Sequence, residues 1–261
     1  MTVKIANAWM NILIPRPAAK FRLFCFPYAG GGAYEYRSWA QALSEEIELC
    51  AIQLPGRESR LRETPFTQIR KLVETIGDEI TPFFDKPFFF FGHSFGAITS
   101  FEVTRFLRDN NLPLPEHLFV SGSRAPQVPN PEPPVYHLPD SEMIDAVCSR
   151  YDGIPKEVLA HEEMMALLLP AMRADFTMSD TYSYSNAPPF DFAITCLGSE
   201  DDPCTSIDSL NAWRKQTTGD FVLKVFSGGH FFIREYGQAI LEILYKAFQA
   251  SNGIFSHNNK F

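Results

Sequence analysis

Short apolar runs and helix-periodic stretches alternate along most of the chain. FRLFCF (21–26) is apolar nearly throughout and stops at Pro27, which predicts a buried strand. ELCAIQL (48–54) predicts a second, closed by Pro55-Gly56. FFFF after Pro87, HLFVSG (117–122), FAITCLG (192–198) and FVLKVFSG (221–228) predict four more. Between them the spacing changes to three and four residues. Helices are expected over 35–46, over 67–84 through Ile69, Leu72, Val73, Ile76 and Ile80, and over 94–108 through Ile98, Phe101 and Leu107. A last helix is expected over 235–249, followed by a polar, frayed tail at about 251–261. Strands that are apolar on both faces and alternate with helices imply an α/β fold with a mostly parallel sheet covered on both sides.

The rhythm breaks between Arg124 and Pro189. SRAPQVPNPEPPVYHLP is too rich in proline for a sheet interior. Helices are expected at 140–151, 155–160 and 161–181, with Met164, Met165, Leu167, Leu168, Leu169 and Met172 among them. This region, about 124–189, reads as a helical lid inserted into a single domain spanning 1–261.

Composition narrows the function. The 261 residues are 45% hydrophobic and carry a net charge of −8. With no Lys/Arg-rich block, nucleic acid is not an expected partner. The longest basic stretch, GRESRLRE (56–63), is diluted by glutamates. No apolar run reaches membrane-spanning length, and the N-terminus lacks the layout of a signal peptide. Five cysteines without a C-x-x-C pair argue for a reducing cytoplasm, and against a disulfide framework or zinc site.

The candidate chemistry begins at Gly92-His93-Ser94-Phe95-Gly96. G-x-S-x-G between an apolar strand and a helix pattern is the setting of a nucleophile elbow. The glycines would let backbone approach backbone, and Ser94 would stand at a helix N-terminus, where partial positive charge favours an oxyanion. The plain alternative is an N-cap serine. A serine nucleophile needs a base and an orienting acid, which this layout places later in the chain, acid before histidine. His230, in Ser227-Gly228-Gly229-His230, follows the last strand and is the base of choice over His117, His137, His161 and His257. The acid should lie in Ser199-Glu200-Asp201-Asp202-Pro203, and spacing alone leaves Asp201 and Asp202 open, with Glu200 behind them. Oxyanion donors are expected from the N–H of Phe95 and from the Pro27–Gly32 loop, Ala29 first and Tyr28 next. Gly30-Gly31-Gly32 matches neither a dinucleotide fingerprint nor a phosphate-binding loop. No cofactor motif and no metal-ligand cluster is seen.

Taken together, FRLFCFPYAGGGAYEYRSW, QLPGRESRLRE, FFFFGHSFGA, HLPDSEM, LLPAMRADF, LGSEDDP and FSGGHFF resemble the type II, editing thioesterases of nonribosomal peptide and polyketide synthesis. The likeness runs in order over about residues 9–245. Phe95 departs from it, since the family mostly has methionine there. The resemblance implies an α/β-hydrolase fold with a helical lid, and a Ser94–His230 pair acting on acyl thioesters held by carrier domains. It implies Asp201 as the acid, three residues after Gly198, with Asp202 as the fallback. It also implies a free-standing monomer that needs no cofactor. Two other readings share these residues: a general carboxylesterase or lipase, and a non-catalytic binding protein of the same fold.

Overall fold

A computed structural model describes residues 7–151 and 153–258. Seven strands form one sheet: β1 (Met10–Asn11), β2 (Phe21–Phe26), β3 (Ile47–Ile52), β4 (Phe88–His93), β5 (His117–Ser121), β6 (Ala193–Ser199) and β7 (Phe221–Phe226). Their spatial order is β1-β3-β2-β4-β5-β6-β7, and only β1 runs antiparallel to its neighbour. The six expected strands are present within two residues of their expected starts. β1, two residues long, gives no periodic signal.

Both faces of the sheet are apolar because alternate side chains point opposite ways. Phe24, Phe26, Phe88 and Phe90 pack with α2 (Ile69–Ile80) and α3 (Phe95–Asp109). Leu23, Cys25, Phe89 and Phe91 pack on the other side with α1 (Arg37–Ala42) and the closing helix. The four-phenylalanine run therefore divides equally between two cores. α2 buries Leu72, Val73, Ile76 and Ile80 along one stripe. It ends before Pro82, whose missing N–H cannot continue the ladder. The helix expected over 35–46 is shorter: a 3-10 turn at Ala33–Tyr36 leads into α1, which stops at Ala42.

Between β5 and β6 the described residues contain no strand. They form α4 (Asp140–Tyr151), α5 (Lys156–Leu159) and α6 (Glu162–Asp180), close to the expected bounds. Val135, Met143, Val147, Leu169, Met172 and Phe176 make a small core of their own there. After β6 come α7 (Ile207–Asn211) and, after β7, α8 (Phe232–Glu235) and α9 (Gly237–Asn258). The sequence pattern left α7 unassigned, although Ser206 Oγ caps it by accepting the Ser209 N–H. α9 continues to Asn258, beyond the expected end at 249, so residues 251–258 are helical rather than a frayed tail. Residues 259–261 of that expected tail lie outside the described residues.

Candidate active site

Ser94 joins β4 to α3 with φ +56° and ψ −117°, a backbone conformation that costs a non-glycine residue of order 1–3 kcal/mol. The turn is held closed by the Ser94 N–H donating to the Ser121 carbonyl at 2.7 Å and the Ala97 N–H donating to the Ser94 carbonyl at 3.0 Å. The Ser94 hydroxyl caps nothing, which removes the N-cap reading. Both flanking glycines are there for contact. A Cβ on Gly92 would sit 2.1 Å from the Gly96 carbonyl oxygen, and one on Gly96 would sit 2.1 Å from that of Phe26.

His230 lies on the turn after β7 and is buried. Its Nδ1 is 2.8 Å from Asp202 Oδ2. Asp202 also accepts the Cys204 N–H and the Thr205 Oγ1–H, each at 2.9 Å. Burial alone would raise the Asp202 carboxyl. The hydrogen bond and charge of His230, with those two donors, outweigh it and hold the group below its ordinary value. Asp201, the residue implied by family spacing, points elsewhere. Its carboxylate is exposed and accepts the Gly228 N–H at 3.2 Å. The expectation of Asp201 as the partner of His230 is therefore corrected to Asp202. The physical reason is the doublet's geometry. The Asp201 N–H is tied to the Gly228 carbonyl, so its side chain stays outside, and the next residue turns inward.

His93 fills the space behind His230, with ring centroids 5.1 Å apart and Nδ1 3.0 Å from Ser121 Oγ. Burial, then the nearby His230 and Arg234, push its pKa well below the usual histidine value. It is a neutral spacer.

Two cavities meet at Ser94, each of about 330 Å³. Ser94, Phe95, Tyr151, Ser179 and His230 line both. The first continues toward Ser123, Arg124, Gln127 and Tyr182 and is mainly polar. The second continues toward Val147, Ile154, Leu168, Met172 and Phe176 and is mainly apolar. Phe95 and Ala29, whose N–H groups are the expected oxyanion donors, both border the second. Tyr151 packs edge-on to His230 at 4.7 Å.

The Ala29 loop is tied down by residues to which the sequence pattern gave no role. Asp175 on α6 accepts the Gly30 N–H at 2.8 Å. Arg57 grips Asp175 with both terminal nitrogens, Nη2 at 2.9 Å, and donates Nη1 to the Gly31 carbonyl at 3.1 Å. Both side chains are buried, at 3% and 1% exposure. Glu58 accepts the N–H groups of Ala33 and Tyr34, each at 3.1 Å. These residues come from LPGRE and MRADF, motifs whose charged positions were a signal without an assigned partner. Among the described residues no group of three or more His, Cys, Asp or Glu could hold a metal ion.

A doubly covered, mostly parallel sheet, a strained serine on the strand-to-helix turn and a buried His–Asp pair after the last two strands define an α/β-hydrolase. The comparisons with known proteins narrow the class. The thioesterase domain model matches residues 21–248, so the chain belongs to the thioesterase family and is a hydrolase of thioesters. It is 43% identical over 240 residues to the gramicidin S biosynthesis protein GrsT of Aneurinibacillus migulanus, covering 92% of this chain and 93% of that one. It is 37% identical over 235 residues to a Brevibacillus parabrevis protein named linear gramicidin dehydrogenase LgrE, covering 89% of each. The structure of BorB, a type II thioesterase from the borrelidin biosynthetic cluster, superposes with a TM-score of 0.86 at 33% identity, covering 94% of this chain and 99% of that one.

Proposed function

We propose that this thioesterase removes acyl groups from the phosphopantetheine arms of acyl or peptidyl carrier domains, clearing misprimed or stalled groups from a nonribosomal peptide or polyketide synthase. The observation that carries the reading is the meeting of a polar and an apolar cavity at Ser94 and His230, with His230 oriented by Asp202. An amide-bearing arm suits the polar branch, and an acyl chain suits the apolar one. The names of the relatives, drawn from gramicidin S and borrelidin biosynthesis, point the same way.

In this mechanism Ser94 Oγ attacks the thioester carbonyl while His230 Nε2 takes its proton. Asp202 holds the imidazole in the tautomer with Nδ1–H and stabilises the imidazolium. The N–H groups of Phe95 and Ala29 receive the oxyanion. The C–S bond then breaks. The leaving thiol has an ordinary pKa near 8.5, so it departs readily and takes the proton from His230. Water, deprotonated by His230, attacks the acyl-enzyme, and the free acid leaves as Ser94 recovers its proton. The helical region between β5 and β6, about 124–189, acts as the lid of a single-domain monomer. Methionines and leucines in its wall suit an adaptable pocket that discriminates each methylene by only about 1–3 kcal/mol. Five free cysteines support a cytoplasmic setting, and the chemistry calls for no cofactor.

The test is release of acetyl from an acetyl-phosphopantetheinyl carrier protein, beside the Ser94→Ala variant and a simple aryl ester. Carrier turnover that disappears with Ser94 supports the reading. A carrier that stays loaded while the aryl ester is cleaved sinks the editing role in favour of a general esterase.

A further inference from the structure

The polar cavity is lined by His230, Asp180 and Arg124 among others. His230 is engaged with Asp202. The Asp180 carboxylate accepts the N–H groups of Val135 at 2.7 Å and Tyr136 at 3.3 Å. Arg124 differs: its guanidinium makes no hydrogen bond and no ion pair within 4 Å with the described residues, although it is half-buried. An arginine half-withdrawn from water at a cavity wall gains from an acceptor, because its donors keep only part of their hydration. Burial, outweighing the attraction of Tyr151, Cys204 and Asp180, lowers its pKa, so its surroundings on the protein undersupply negative charge.

The backbone on either side of Arg124 is pinned. The Ser123 carbonyl accepts the Trp213 Nε1–H at 2.8 Å, and the Ala125 N–H donates to the Ser209 carbonyl at 3.0 Å. Trp213 and Ala125 are fully buried. The segment also leaves β5 three residues after Ser121, whose carbonyl holds the Ser94 N–H. A fixed backbone thus presents an unmatched cation to the cavity that Ser94 also lines.

We propose that Arg124 binds an oxyanion of the substrate in the polar cavity. The inference rests on the thioesterase reading above and adds a charge requirement to it. A planar guanidinium can hold a phosphate or a carboxylate through two parallel hydrogen bonds. The anion is therefore either the phosphate of the pantetheine arm or the carboxylate of a carboxyacyl group.

The experiment measures kcat/KM of the wild type, Arg124→Gln and Arg124→Lys with acetyl-pantetheine, acetyl-phosphopantetheine and malonyl-pantetheine. The readout is each variant's ratio of anionic to neutral substrate. A charge-assisted pair predicts that Arg124→Gln lowers one ratio by roughly tenfold to a hundredfold, mainly through KM, with partial recovery in Arg124→Lys. A fall confined to the phosphorylated arm identifies the phosphate. A fall confined to malonyl identifies the acyl carboxylate. Equal changes across all three substrates, or none, overturn the inference while leaving the thioesterase reading intact. A wild type that turns over none of the three overturns both.

Discussion

Asp175, on the helix that roofs the site, accepts the N–H of Gly30 at 2.8 Å, one residue after the proposed oxyanion donor Ala29. The same carboxylate is neutralised by Arg57, so the loop, the roof and the LPGR turn form one unit. Removing one member of a buried ion pair leaves an unmatched charge and costs about 3–5 kcal/mol. Asp175→Leu should therefore lower the denaturation midpoint strongly and reduce kcat. The double variant Arg57→Met/Asp175→Leu should regain much of the stability, because no charge is left stranded. It should not regain kcat, because the Gly30 N–H has lost its anchor. Chemical denaturation beside steady-state turnover checks both, and a double variant with full kcat would remove the positioning role.

The aspartate doublet offers a sharper test. Asp202→Asn should drop kcat by about 10⁴-fold, as expected where the orienting acid is lost and the imidazole takes the wrong tautomer. Asp201→Asn, an exposed side chain 3.2 Å from the Gly228 N–H, should change turnover only slightly. Thioester hydrolysis by the two variants decides between them, and the reverse ranking would restore the spacing-based choice.

Ser94 holds a backbone conformation that glycine adopts freely and other residues adopt only under strain. Ser94→Ala and Ser94→Gly should both lose several orders of magnitude in rate. Ser94→Gly should nevertheless be the more stable of the two, by about 1 kcal/mol, since it relieves the strain at φ +56°. Thermal unfolding of the two inactive variants reads out the difference; equal midpoints would mean the turn stores no strain.

Two histidines outside the proposed chemistry make stability pH-dependent. Burial holds His117 down to about 4, and His93 also sits well below its ordinary value. The unfolded chain binds these protons near pH 6.5, so it carries more protons than the folded state below that value, and stability falls as pH drops from about 6.5 toward 4. His117→Gln, which can still meet Thr195 Oγ1, removes one titrating group. Its unfolding midpoint should fall less between pH 7 and pH 5 than that of the wild type. A parallel decline in both would assign the loss to other groups.

Six of the seven strands were legible because most of their residues are apolar, so each run stands out whatever its register, as Phe88–Phe91 shows. Ser94 and His230 were legible as candidates because glycine spacing and order along the chain mark them out. The aspartate that faces His230 was not. Asp201 and Asp202 are adjacent, and which one turns inward depends on the Asp201 N–H meeting the Gly228 carbonyl, a contact between residues far apart in sequence. The Arg57–Asp175 pair is likewise 118 residues apart, and a charged residue in a motif does not announce its partner. β1 was invisible because two residues carry no period, and α9 outran its expected end because polar residues can continue a helix without an apolar stripe.

The missing side chains at Gly92 and Gly96 have a further consequence. The start of α3 rests on the carbonyls of Phe26 and Pro27, immediately before the loop that carries Ala29. The two expected oxyanion donors are thus spaced by main chain touching main chain, with no side chain between them. Residues lining the apolar cavity farther from that loop, such as Val158 and Leu168, can then be exchanged without resetting that spacing. The apolar cavity can change shape while the spacing of Phe95 and Ala29 stays put.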